Sequence, residues 1–261
     1  MKLKGRIALV TGSGQGIGLA TLKAFGAEGA TLIVSDVVAE RAAAAAKELT
    51  DAGYQADNVR IDVGDKASIE AGFAEVVERH GRLDIFVNNA AISSATPFLD
   101  VTHEEFERMV RVNLTGAFLC AQAAARQMVK QAPLAGVRPK IVNICSISGQ
   151  RGGRGRTAYG ATKAGLDLIT RVMTTELAGR GLNVNAIAPG PIETEMAQSV
   201  HHGGQREAYL FLTSQGRYGE AGEIAKAALF LCSDDADYIN GVTLNVDGGF
   251  GSQGLQYPLP G

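Results

Sequence analysis

Tyr159 and Lys163 stand four residues apart near the start of a helical pattern, so their side chains share one helix face about one turn apart. A phenol beside a cation is a proton-transfer pair. Left alone, a tyrosine with a pKa of about 10 is too rarely ionised at neutral pH to serve well as a base. A positive charge ~6 Å away, at an effective dielectric of about 20, contributes on the order of 3 kcal/mol, or about two pKa units. Ser146, thirteen residues before Tyr159, ends an apolar run and is joined to it by the glycine-rich loop Gly149 to Gly155. That loop is flexible enough to turn both hydroxyls into one cavity. Ser146 then offers an uncharged donor where negative charge develops on oxygen, as an oxyanion hole does. Together the three residues suit removal of a hydroxyl proton as hydride leaves the adjoining carbon, or the reverse.

A hydride needs an acceptor, and a second cluster is suited to hold one. Thr11-Gly12-Ser13-Gly14-Gln15-Gly16-Ile17-Gly18 follows the first apolar run and leads directly into a helix. Gly12, Gly16 and Gly18 permit a tight turn, close approach of a pyrophosphate, and close packing of helix on strand, while the helix N-terminus turns its free N–H groups to the phosphates. Asp36, eighteen residues after Gly18, ends the second strand, where a carboxylate accepts both hydroxyls of an adenosine ribose and repels a 2′-phosphate. It is followed by Val37, and Gln15 leaves the glycine turn without a basic side chain, so NAD is expected over NADP. Asp36 is also a candidate helix N-cap. Asp62-Val63, past the third strand, is placed at the adenine edge, and Asn89-Ala90 ends the fourth strand.

The elements that must position these groups alternate. Strands are expected at Arg6 to Thr11, Thr31 to Ser35, Ala56 to Ile61, Leu83 to Val87, Lys140 to Cys145, Asn183 to Ile187 and Val242 to Val246. Helices are expected at Gly16 to Glu28, Glu40 to Ala52, His103 to Met128, Ala158 to Gly179 and Gly222 to Ser233. Strands apolar on both faces belong to a parallel sheet between helix layers, which predicts an α/β, Rossmann-type doubly wound fold of about seven strands. The cofactor-end candidates fall at carboxyl ends of strands, where such sheets bind ligands. No linker or repeat divides residues 1–261, so one domain is expected. Residues 192–216 are polar and weakly periodic and read as a substrate lobe that closes over the site. Residues 250–261, rich in glycine and proline, read as an irregular tail.

The spacing Ser146…Tyr159-Gly160-Ala161-Thr162-Lys163, with the glycine turn, Asn113 in Arg111-Val112-Asn113-Leu114-Thr115-Gly116, and Pro189-Gly190, resembles the short-chain dehydrogenase/reductase family across essentially the whole chain. One departure is Ala91, where the family pattern has glycine. The resemblance implies an oxidoreductase moving hydride between a nicotinamide cofactor and a secondary alcohol or ketone, most readily a polyol, sugar or small hydroxy compound. Reduction of 3-oxoacyl thioesters is the alternative within the same chemistry. It implies Tyr159 as general acid/base, Lys163 as ribose ligand and pKa modifier, Ser146 as donor to the substrate oxygen, and Asn113 as the residue steadying a relay water. Thr194 is implied at the nicotinamide carboxamide, and Ser13, Ile17, Pro189, Gly190 and Ile192 complete the expected cofactor set. It further implies a homotetramer. Ser148, Gln150, Arg154 and Met196 are expected to meet substrate, the arginines of Arg151-Gly152-Gly153-Arg154-Gly155-Arg156 suiting an anionic or polyhydroxylated one.

Other classes are disfavoured. A net charge of −2 gives no global pull toward nucleic acid or an anionic membrane, and the short arginine run lies inside the catalytic loop. No apolar run approaches the ~20 residues of a membrane span. Cys120, Cys145 and Cys232 are scattered in apolar surroundings, which predicts reduced core thiols and a cytoplasmic setting. The histidines His80, His103, His201 and His202 lack the ligand spacing of a metal site, and Ser146 lacks a G-x-S-x-G elbow, so metal and serine-hydrolase chemistry are not expected. A non-catalytic nucleotide-binding regulator is the alternative from another class; it would keep the glycine turn and lose Tyr or Lys.

Overall fold

The computed structural model describes residues 1–134, 136–201 and 203–254. The strands are β1 (Ile7–Thr11), β2 (Thr31–Asp36), β3 (Ala56–Arg60), β4 (Ile85–Asn88), β5 (Lys140–Ile144), β6 (Asn183–Pro189), β7 (Ile192–Glu193), β8 (Gly219–Glu220) and β9 (Thr243–Val246). The helices are α1 (Gly16–Ala27), α2 (Ala39–Asp51), α3 (Lys66–His80), α4 (His103–Val110), α5 (Ala117–Met128), α6 (Thr157–Leu177), α7 (Glu195–Val200), α8 (Gly204–Leu212) and α9 (Ala221–Cys232). Seven strands form one parallel sheet in the order β3-β2-β1-β4-β5-β6-β9, and β7 pairs with β8 apart from it. The winding runs outward in both directions from the β1/β4 junction, so the loops after these two strands part and leave a crevice at their carboxyl ends.

Alternation along the central strands builds two core layers. Val10, Val34, Val87 and Val142 pack with Leu22, Phe25, Leu49 and Ile224 of α1, α2 and α9. Their chain neighbours Leu9, Ile33, Phe86 and Ile141 point the other way, onto Phe73, Val76, Cys120 and Met128 of α3 and α5. The expected burial on both faces fails at the edges. Most of β3 and β9 is partly accessible, since an edge strand has one neighbour and incomplete helix cover.

The helix expected over His103 to Met128 is α4 and α5 joined by a π turn, Arg111–Gly116. The wide turn sets Gly116 against the loop after β3, where a Cβ would sit 2.0 Å from the Val63 carbonyl oxygen. Residues 192–216, the weakly periodic lobe, hold β7, α7 and α8, with Thr194 capping α7 by accepting from the Ala197 N–H at 3.2 Å. The tail begins later than expected. Phe250 is buried, its carbonyl accepts from Arg151 Nη1 at 2.5 Å, and its ring lies 5.6 Å from that of Tyr209. Residues 255–261 of the expected tail lie outside the described residues.

Candidate active site

A cavity of ≈ 510 Å³ opens at the carboxyl ends of β1, β2 and β4. Gly12 holds φ +62°, and a Cβ on it would lie 2.8 Å from Ala90 Cα; one on Gly18 would lie 2.6 Å from Ser13 Cα. Both positions therefore require glycine, the first for the turn and the second for seating α1 on the sheet. Gln15, the N-cap of α1, makes no side-chain cap bond, which leaves the first-turn N–H groups to the cavity. An uncapped helix start behind a glycine cradle fits a pyrophosphate. Gln15, Gly16, Ile17, Asp62, Val63, Asn89, Ala90 and Thr194 of the expected cofactor set line this cavity.

The buried Asp36 carboxylate accepts from the Val38 N–H at 3.0 Å and from Arg41 Nη2 at 2.8 Å. Arg41, Arg108 and Arg111 line the cavity and were not among the residues expected from sequence. Only Arg41 had a usable signal, its place one turn beyond Asp36. Ser13 does not belong with the lining residues. Its hydroxyl is fully buried, donating to the Val10 carbonyl at 2.7 Å and accepting from the Ser35 N–H at 3.0 Å, so it locks β1 to β2. Gly18 likewise acts through packing.

A second cavity, ≈ 130 Å³, adjoins the first and shares Ile17, Asn89, Ala91, Thr194 and Met196 with it. Ser146, Ser148, Tyr159, Lys163, Pro189, Gly190 and Ile192 line it. Ser146 comes off the end of β5, and its Oγ accepts from the Ser148 N–H at 3.1 Å, which directs its own proton elsewhere. Its hydroxyl interacts with that of Tyr159, and the interaction favours the phenolate. Burial is the larger influence and pushes the Tyr159 hydroxyl above its usual range; the Ser146 bond and then the Arg156 guanidinium pull it back down. The expected source of that pull was Lys163, one turn further along α6. Lys163 Nζ instead donates to the Ile144 carbonyl at 2.7 Å and lies 5.8 Å from the centre of the Tyr159 ring. Burial brings the Lys163 ammonium down to about 8.

Asn113 sits in the π turn with its side chain on the loop after β4: Oδ1 accepts from the Ile92 N–H at 2.9 Å and Nδ2 donates to the Ile92 carbonyl at 2.8 Å. It does not line the cavity. Two expected substrate residues also fall away from it. The exposed Gln150 pairs with Asn245 across the chain, Nδ2 and Nε2 each donating, and Arg154 is exposed on the loop. The arginine that reaches the cavity is Arg156, 6% exposed, because Gly155 turns the chain inward just before α6 with φ +73°. His201 and Tyr209 arrive from the lobe, and nothing in the local sequence singles out Tyr209. Among the described residues no acidic, His and Cys cluster suits a metal ion, and no helix is long and apolar enough to cross a membrane. His202 lies outside the described residues.

Residues 12–251 match the family model described as enoyl-(acyl carrier protein) reductase. A 3-oxoacyl-[acyl-carrier-protein] reductase of Thermotoga maritima is 37% identical over 249 residues, covering 95% of this chain and 99% of that one. A 5-keto-D-gluconate 5-reductase of Escherichia coli K12 is 38% identical over 248 residues, covering 95% and 96%. The crystal structure of a gluconate 5-dehydrogenase from Burkholderia cenocepacia, in complex with NADP and tartrate, superposes with a TM-score of 0.90 at 37% identity, covering 97% of each chain.

Proposed function

The chain belongs to the short-chain dehydrogenase/reductase family, and from that premise we propose that it is an NAD-dependent dehydrogenase of polyols, sugars or small hydroxy compounds, acting at a secondary alcohol or its ketone. One observation carries the reading: the Ser146–Tyr159 hydroxyl pair opens into a cavity continuous with the glycine-cradled one. When bound, the nicotinamide cofactor supplies the hydride acceptor or donor. The chain's own groups manage the oxygen. Ser146 donates to the substrate oxygen and Tyr159 takes or returns its proton. Lys163 holds the ribose and adds positive charge once it moves from the Ile144 carbonyl. Pro189, Gly190, Ile192 and Thr194 bound the nicotinamide end, and Asn113 positions the loop after β4 through Ile92.

NAD is assigned from Asp36, whose carboxylate stands where a 2′-phosphate would have to enter. A second reading, NADP, has Arg41 in its favour, since the same guanidinium that pairs with Asp36 is suited to a phosphate. The steady-state kcat/KM with each cofactor tests the choice. NAD should win in the wild type, and Asp36→Ala, which frees Arg41, should move the NADP:NAD ratio upward by roughly 10-fold or more, a change of about 1.4 kcal/mol. A wild type that prefers NADP would overturn the assignment. Reduction of 3-oxoacyl thioesters, the activity in the name of the Thermotoga relative, is the runner-up substrate reading. The ≈ 130 Å³ cavity, closed on one side by Arg156, His201 and Tyr209, suits the smaller compounds better. A homotetramer is part of the proposal, resting on apolar side chains left exposed on α5 and α6.

A further inference from the structure

Arg156 is buried beside Tyr159 with no carboxylate partner among the described residues. A guanidinium in that position is paired in most interiors, because an uncompensated buried charge is costly. Its five N–H groups are almost accounted for. Nη1 donates to the Ser93 hydroxyl at 2.9 Å and the Ser94 carbonyl at 3.0 Å. Nη2 donates to His201 Nε2 at 2.6 Å and the Tyr209 hydroxyl at 3.3 Å. All four acceptors are neutral. A guanidinium only donates, so His201 Nε2 must accept, and the imidazole proton sits on Nδ1, facing the Tyr218 hydroxyl 3.1 Å away. The remaining donor, Nε–H, is buried with no partner.

Three protons are therefore left over on residues that line the cavity. Nε–H of Arg156 is one. The others belong to the Ser93 and Tyr209 hydroxyls, whose oxygens accept from Arg156 and whose own hydrogens have no acceptor among the described residues. Surplus donors around an uncompensated positive charge are the complement of an anion. Ser93, Arg156, Tyr209 and the reacting pair Ser146 and Tyr159 all line the same cavity, so the anion has to be part of the molecule being oxidised or reduced. Arg156 lies 5.8 Å from the centre of the Tyr159 ring, which sets the charged group within a few bonds of the reacting carbon.

We propose that Arg156, Ser93 and Tyr209 form a receptor for a substrate carboxylate, which makes this chain a dehydrogenase of small hydroxy acids and their oxo forms in preference to neutral alcohols. The proposal rests on the dehydrogenase reading above and adds the substrate's charge to it. The carboxylate takes no part in bond changes; it fixes the carbinol carbon against Tyr159, a role for binding energy that also raises turnover.

Matched substrates that differ only in carboxylate against hydroxymethyl, glycerate with glycerol and gluconate with sorbitol, test it through kcat/KM in wild type, Arg156→Gln and Arg156→Lys. The acid should exceed its neutral partner in the wild type. Arg156→Gln should compress that ratio by about 10- to 100-fold, and Arg156→Lys, which keeps the charge without the fork, should fall between. A wild type indifferent to the carboxylate overturns the proposal, as does a variant that loses both members of a pair by one factor, the sign of a merely structural arginine. A second readout needs no turnover. Malonate titrated into the enzyme–NADH complex should change the cofactor fluorescence, malonamide should not, and the malonate response should weaken at least tenfold in Arg156→Gln while NADH still binds. Equal binding of malonate and malonamide overturns the proposal. Malonate binding without oxidation of any pair supports the receptor and places the failure in the dehydrogenase reading.

Discussion

Burial works against the charged forms of both Lys163 and Tyr159, opposing the ammonium of the first and favouring the neutral phenol of the second, and this shapes how the protein responds to pH. The Lys163 ammonium falls from 10.5 to about 8, so the folded chain binds its proton less readily than the unfolded chain does. The resulting penalty is fully present below about pH 8 and fades as pH rises toward 10.5. Lys163→Met should accordingly be catalytically crippled yet more stable than wild type at neutral pH without cofactor, by roughly 1–3 kcal/mol, the gap closing in alkali. Denaturant melts at pH 7 and above 10 check this; a destabilised variant at pH 7 contradicts it. Tyr159 runs the other way. Since the Ser146 bond lowers its pKa, Ser146→Ala should slow alcohol oxidation about 100-fold and move the rise of kcat/KM with pH to higher pH. An unshifted pH profile would remove Ser146 from the proton path. Reactive residues were legible in the sequence because a four-residue spacing on a helix is local geometry. Arg156 was harder to single out: Arg151 and Arg154 share its glycine-rich loop, and only the folded chain shows that Gly155 turns the third arginine inward.

At the scale of elements, strand and helix order was readable since apolar runs and amphipathic periods are written into neighbouring residues. What escaped was set by distant contacts. The π turn between α4 and α5 answers to the Val63 carbonyl, some fifty residues before Gly116. Helices α7 and α8, six and nine residues long with Gly203 between them, carry too few turns to show a period. With a Cβ only 2.0 Å from the Val63 oxygen, Gly116→Val has to push α5 off the loop after β3. It should cost about 2–4 kcal/mol by overpacking and weaken NAD binding, since Asp62 and Val63 line the cofactor cavity. Thermal melts and cofactor titration measure both effects, and a variant with wild-type stability would show that the turn is not fixed by this contact.

For the whole molecule, the sheet's switch point places the cofactor cavity, and the lobe lines the substrate side, with Phe250 packed behind its Tyr209. The outward faces of α5 and α6 leave Phe118, Leu168 and Val172 exposed, at 41%, 61% and 48%. A tetramer that buries them predicts dissociation on Leu168→Glu, read by light scattering; a wild-type monomer would refute it. The most direct test of the whole account is NADH absorbance during turnover of secondary alcohols by wild type and Tyr159→Phe, with NADH binding measured on both. The account predicts a wild type that reduces NAD and a variant slowed about 100- to 10,000-fold that still binds NADH. Undiminished turnover in Tyr159→Phe would contradict it.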